Sequence, residues 1–197
     1  MSKSDPSVSK KERNKTIRWV VTIFFVTIFV SGTISFASDA IMAGSTMLVA
    51  FIILLAIVLI GIIFDVVGVA VTSADEKPFH SMAARKVPGA QEAIRLLRNA
   101  ERVSSICNDV VGDICGVVSG SASATIAAQI LSDFEFTWPR VVSLLMSALA
   151  AGLTVGGKAV GKGFAVDSCT EIVHTVGKVL HSLGLFRKSN GKKNNKR

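Results

Sequence analysis

Asp109 and Asp113 stand four residues apart in RVSSICNDVVGDICGVVSGSASATIA, and Asp65 stands in LLAIVLIGIIFDVVGVAVTS. Both stretches are apolar and long enough for a helix to cross a bilayer, which takes roughly 20 residues. A carboxylate at that depth costs from roughly 3 to more than about 10 kcal/mol, and such groups mark ion paths or buried partners. The spacing puts Asp109 and Asp113 on adjacent turns of one helix face. Asn108, Ser104 and Ser105 add amide and hydroxyl oxygens on the same helix, and Ser119, Ser121 and Ser123 continue the series. Oxygen-only donors suit hard cations such as Mg²⁺, Ca²⁺ or Na⁺. Mg²⁺ keeps several waters, so a roomy cavity with two or three carboxylates suffices for it. The expected cation-binding set is therefore Asp65, Asn108, Asp109, Asp113, Ser104 and Ser105. Two other readings stay open. Lys158 and Lys162 stand at the end of the last apolar block and can serve as counter-charges to the acids. The acids can also relay protons.

Other chemistries find no support. Cys107, Cys115 and Cys169 lack metal-type spacing, and read as small packing residues. His80, His174 and His181 do not cluster, and the chain has no P-loop and no hydrolase elbow. Neither an enzyme nor an organic cofactor is expected.

The elements that must position these residues are helices. Half of the residues are apolar and they fall in blocks, at about 17–36, 46–73, 103–131 and 139–160. A backbone in hydrocarbon must satisfy its own hydrogen bonds, so each block is expected to be a spanning helix. The expected fold is all-α: a polytopic membrane protein with four transmembrane helices plus interfacial and juxtamembrane helices. Residues 1–16 read as a disordered basic tail, and 17–165 as the transmembrane domain. Within that domain, 74–102 is a cytoplasmic interfacial segment, punctuated by Pro78 and Pro88–Gly89. A short helix is expected between those breaks, and a second from Ala90. Residues 166–185 read as an amphipathic juxtamembrane helix, and 186–197 as a basic tail. The first block is too long for a signal peptide and is read as retained.

The net charge of +8 is distributed unevenly. Lys and Arg precede the first span, fill the connection between the second and third, and close the chain. The two other connections carry Asp39, Asp133 and Glu135 and no Lys or Arg. The positive-inside rule then puts both termini in the cytoplasm. Topology and anionic lipid account for the basic segments better than nucleic acid does.

Gly112, Gly116 and Gly120 recur every four residues in the third span, and Gly152 and Gly156 repeat the device in the fourth. Such small-residue ridges let helices approach closely. They are expected to pack these two spans on each other or across a homodimer.

FDVVGVAVTS at 64–73 resembles the close of the first helix of the CorC and cyclin M (CNNM) magnesium transporters. RLLRNAERVSSICNDVVGDI is similar to that family's second helix, and GKAVGKGFA at 157–165 to its Gly-Glu-x-x-Pro-Lys-x-x-Ala motif. The resemblance covers roughly residues 47–185 and leaves the first span as an addition. It implies a dimeric membrane domain that holds a dehydrated Mg²⁺ and drives efflux or related transport. Asn108 or Asp109 would stand for the family's Asn-Asn pair, Ser104 and Ser105 for its Ser-Thr step, and Lys162 for the motif lysine. The departures are specific. The family's first-helix glutamate falls at Gly68, its Gly-Glu acid at Lys158 and its proline at Gly161. The paired CBS domains have no counterpart, so any nucleotide regulation would need a separate subunit. The expected function is export or transport of a divalent cation, with Mg²⁺ foremost. A non-transporting membrane subunit or scaffold is one alternative, and a channel or exchanger for another ion is the other.

Overall fold

The computed structural model describes residues 6–42, 44–133 and 138–184, with side chains described from residue 17 onward. The elements are α1 (Pro6–Met42), α2 (Met47–Ser73), α3 (Lys77–Ala84), α4 (Ala90–Arg98), α5 (Ala100–Ser105), a π-helical segment (Ile106–Gly112), α6 (Asp113–Asp133), α7 (Pro139–Asp167) and α8 (Cys169–Ser182). No strand occurs among the described residues. Four stretches are long and apolar enough to cross a membrane: Ile17–Met42, Met47–Ser73, Ala100–Asp133 and Pro139–Asp167. The chain is an all-α integral membrane protein.

Helix starts follow local chemistry. Pro78 and Pro139 stand in the first turns of α3 and α7, where a missing N–H costs nothing and φ is already helical. Ala74 is extended and ends α2. Gly89 adopts a left-handed φ of 85° before α4.

The bundle packs α2 against α6 and α7, with α1 lying along α6. At one end, Met42, Ala50, Leu54, Val58, Ala122, Ile126, Ala127 and Met146 form a buried apolar layer. At the other, α3, α4 and α8 fold beneath α2 as a platform around Phe79, Leu96 and Val173. Polar contacts lace the platform: Arg98 with Glu76 at 3.4 Å, and His181 with Glu92 at 3.2 Å. Gly89 and Gly177 bring the chain before α4 directly onto the backbone of α8. Large apolar side chains such as Phe24, Phe25, Leu144 and Val160 point outward, as a lipid solvent allows.

The structure departs from expectation at three places. α1 begins at Pro6, so most of the segment expected to be a disordered tail is helical, and residues 1–5 and 186–197 lie outside the described ones. α1 also runs to Met42, which puts Asp39 on a packed helix rather than in a connecting loop. α6 and α7 do pack on each other, but not through Gly116, Gly120, Gly152 or Gly156 of their small-residue ridges. A Cβ added at Gly116, Gly120, Gly152 or Gly156 would meet nothing within 4 Å, and Gly112 meets Lys158 instead. The close approaches fall on other glycines. Gly61 faces Cys115, Gly68 faces Asn108, Gly157 faces Ile62 and Gly161 faces Val66. The physical reason is that α2, the most apolar helix, is the common partner of both α6 and α7, and its own contacts select which glycines face inward.

These contacts order the tolerance of glycine positions. Gly89→Ala meets the backbone of Gly177 and Lys178 at a positive φ, and should lower stability by about 1–3 kcal/mol. Gly152→Ala enters open space and should change stability by less than about 0.5 kcal/mol. Thermal unfolding in detergent reads both.

Candidate functional site

The site is built where α2, the π-helical segment and α7 meet. α2 and the third span run antiparallel: Gly61 lies against Cys115 and Gly68 against Asn108. Asp65, between those glycines, is therefore set level with Gly112. On α7, Gly157 receives Ile62 and Gly161 receives Val66, so Lys158 sits at the same level. Its ammonium Nζ donates to the Gly112 carbonyl at 3.4 Å. A side chain on Gly112 would press on that ammonium, 3.2 Å from the Cβ position.

Asp65 is 4% exposed. Among the described residues its Oδ2 has no hydrogen-bond partner, and neither has the buried Oδ1 of Asn108. The Asn108 amide Nδ2 donates to Ser104 Oγ at 3.2 Å. No direct ion pair joins Asp65 and Lys158 among the described residues. Leaving a buried acceptor unmatched costs about 1–3 kcal/mol, and more for a charged one. Two such acceptors on packed neighbouring helices are candidates to receive a cation or a proton. The π-helical turn contributes. It widens the helix at Ile106–Gly112, and π-helical turns concentrate at functional sites.

The expected set is divided by the structure. Asn108 and Ser104 are joined by a hydrogen bond, Lys158 reaches the Gly112 carbonyl, and Asp65 is buried on α2 one turn from Gly61 and Gly68. Asp109 and Asp113 are exposed on the third span and do not join them, which corrects the expectation of one carboxylate cluster. Adjacent residues on a helix point about 100° apart, so directing Asn108 at α2 turns Asp109 away. Ser105 donates its hydroxyl to Asp109 Oδ2 at 2.8 Å, outside the centre. Lys162 is exposed on α7 and makes no ion pair among the described residues. Ser119 and Ser123 donate their hydroxyls back to the Gly116 and Gly120 carbonyls, and act as helix residues rather than ligands. Among the described residues, no three His, Cys, Asp or Glu side chains converge as a metal-binding group.

A second polar cluster lies in the other half of the bundle, and sequence reasoning missed it. Ser121 and Thr125 each donate a hydroxyl to Asp39 Oδ1 at 3.5 Å. Gln129 Nε2 donates to the Met42 carbonyl at 3.0 Å, and Gln129 Oε1 is buried without a partner in the chain. The signal was present as the four-residue spacing of Ser121, Thr125 and Gln129.

Compared with known proteins, the chain matches no family model, no curated protein and no solved structure. The likeness to magnesium transporters therefore rests on the motifs alone. Two of its departures have a physical reading here. The position of the family glutamate, Gly68, is filled by the Asn108 side chain, so an acid would collide there. The position of the Gly-Glu acid carries Lys158, whose charge opposes Asp65.

Removing the charge at Asp65 while keeping its shape tests the centre. Asp65→Asn should raise stability by about 1 kcal/mol or more, because an unmatched buried carboxylate becomes a neutral amide. A loss of more than about 2 kcal/mol in thermal or denaturant unfolding would mean that a partner holds the carboxylate.

Proposed function

We propose that this chain is a cation transporter and that Asp65, Asn108 and Lys158 handle the ion. The single observation that carries the reading is the pair of unmatched buried oxygens, Asp65 Oδ2 and Asn108 Oδ1, in a membrane-spanning bundle whose α7 also directs the Lys158 ammonium inward to the Gly112 carbonyl. A low-dielectric interior makes such oxygens strong sites for a hard cation. Mg²⁺ is the first cargo to test, as an all-oxygen donor set and the motif likeness suggest. The presence of Lys158 favours a second reading: an exchanger or channel for another ion, in which the ammonium is a resident counter-charge that the incoming cation displaces.

The basic residues around the platform, among them Lys77, Arg85, Lys86, Arg102 and Lys178, are exposed, and the positive-inside rule supports a cytoplasmic side for that end and for both termini. On α6 and the π-helical segment, Asp109, Asp113, Val117, Gly120, Ala124 and Ala128 form an exposed stripe. We assign it to a second copy of the chain, because carboxylates facing lipid are costly and small residues admit a close partner.

Flux into liposomes, read with an ion-sensitive dye, tests the assignment. Asp65→Asn should lower flux at least about tenfold, a barrier change of about 1.4 kcal/mol. Asp109→Asn and Asp113→Asn should each leave it within about twofold. Unchanged flux in Asp65→Asn removes the reading, and an equal loss in Asp109→Asn moves the ion path to the outward face.

A further inference from the structure

We propose that Asp39, Ser121, Thr125 and the side-chain carbonyl of Gln129 form a separate binding site for one monovalent hard cation. The site lies between α1 and α6, in the half of the bundle away from the platform. It does not rest on the transport reading. It also uses a residue of α1, which lies outside the stretch that resembles magnesium transporters.

The carboxylate needs more than it receives. Asp39 is half-buried three residues from the end of a spanning helix, in a region whose apolar neighbours include Met42, Ala122 and Ile126. Its contacts within the chain are two hydroxyls, each at the 3.5 Å limit of a hydrogen bond. One of these is shared: Thr125 Oγ1 also lies 3.3 Å from the Ser121 carbonyl, and a hydroxyl has one proton to give. No ion pair reaches Asp39 among the described residues. One turn further along α6, Gln129 Oε1 is buried and unmatched, because its amide nitrogen is committed to the Met42 carbonyl at the end of α1.

The donor chemistry selects the ligand. A carboxylate, two hydroxyl oxygens and an amide carbonyl are all hard oxygen donors. Together they carry a single negative charge, which one monovalent cation neutralises. Hydroxyls that give weak hydrogen bonds to the carboxylate can turn their lone pairs to a cation instead. The site is distinct from the Asp65 centre. Ser121 and Asn108 are separated along the third span by roughly 20 Å at 1.5 Å per residue.

The test uses the purified full chain in detergent, with Na⁺ replaced by choline at constant ionic strength. Na⁺ should raise the unfolding temperature saturably and choline should not, because a ligand that binds only the folded state stabilises it. Asp39→Asn should abolish the Na⁺ effect. Thr125→Val, which removes one oxygen and keeps the helix, should raise the midpoint Na⁺ concentration at least about threefold. Asp65→Asn should leave the effect intact. Absence of a Na⁺-specific shift in the native chain overturns the proposal, as does its survival in Asp39→Asn or an unchanged midpoint in Thr125→Val. A shift lost in Asp65→Asn but kept in Asp39→Asn would place the ion at the other centre, overturning this site while leaving the transport reading standing.

Discussion

The structure turns on one buried charge. Asp65 stands in the second half of α2, shielded from solvent, with an oxygen that nothing among the described residues satisfies. Everything adjacent is arranged around that carboxylate. Gly61 and Gly68 flank it and thin α2 so that the third span can close on it. Lys158 reaches in from α7 and is held on a backbone carbonyl. A neutral pairing of acid and ammonium at direct contact would make a quiet structural core. Holding the two at one level without direct pairing leaves the local electrostatics open to a mobile ion.

The helical architecture was legible because the solvent imposes it. Apolar blocks in a bilayer have few alternatives to helices, and the proline and glycine breaks marked α3 and α4 correctly. The interior of the bundle was far less legible. Periodicity of four marks a helix face, but it does not say which face meets which neighbour. Gly116, Gly120, Gly152 and Gly156 formed the more conspicuous pattern, yet the contacts belong to Gly61, Gly68, Gly157 and Gly161. Composition also drew the first span too short. The sequence ASDAIM at 37–42 reads as part of a connection, while in the fold its acid meets hydroxyls on α6 and the helix continues.

The site was half legible for a related reason. Residue type identified Asp65 and Asn108 as oxygen donors, but regular α spacing grouped Asp109 and Asp113 with them. A π-helical turn has no clear sequence signature, and it changes the phase of everything after it.

That turn has a mechanical consequence. In a π-helical stretch each hydrogen bond spans one residue more than in an α-helix. If Ile106–Gly112 rewound as α, the part of the span on one side would advance by one residue relative to the other, rotating by about 100° and sliding about 1.5 Å. Asn108 lies within the segment and Gly112 at its end, so one such rewinding would move the amide oxygen away from Gly68 and carry off the carbonyl that anchors Lys158. The bundle thus ties the position of its ammonium to the winding of this one segment.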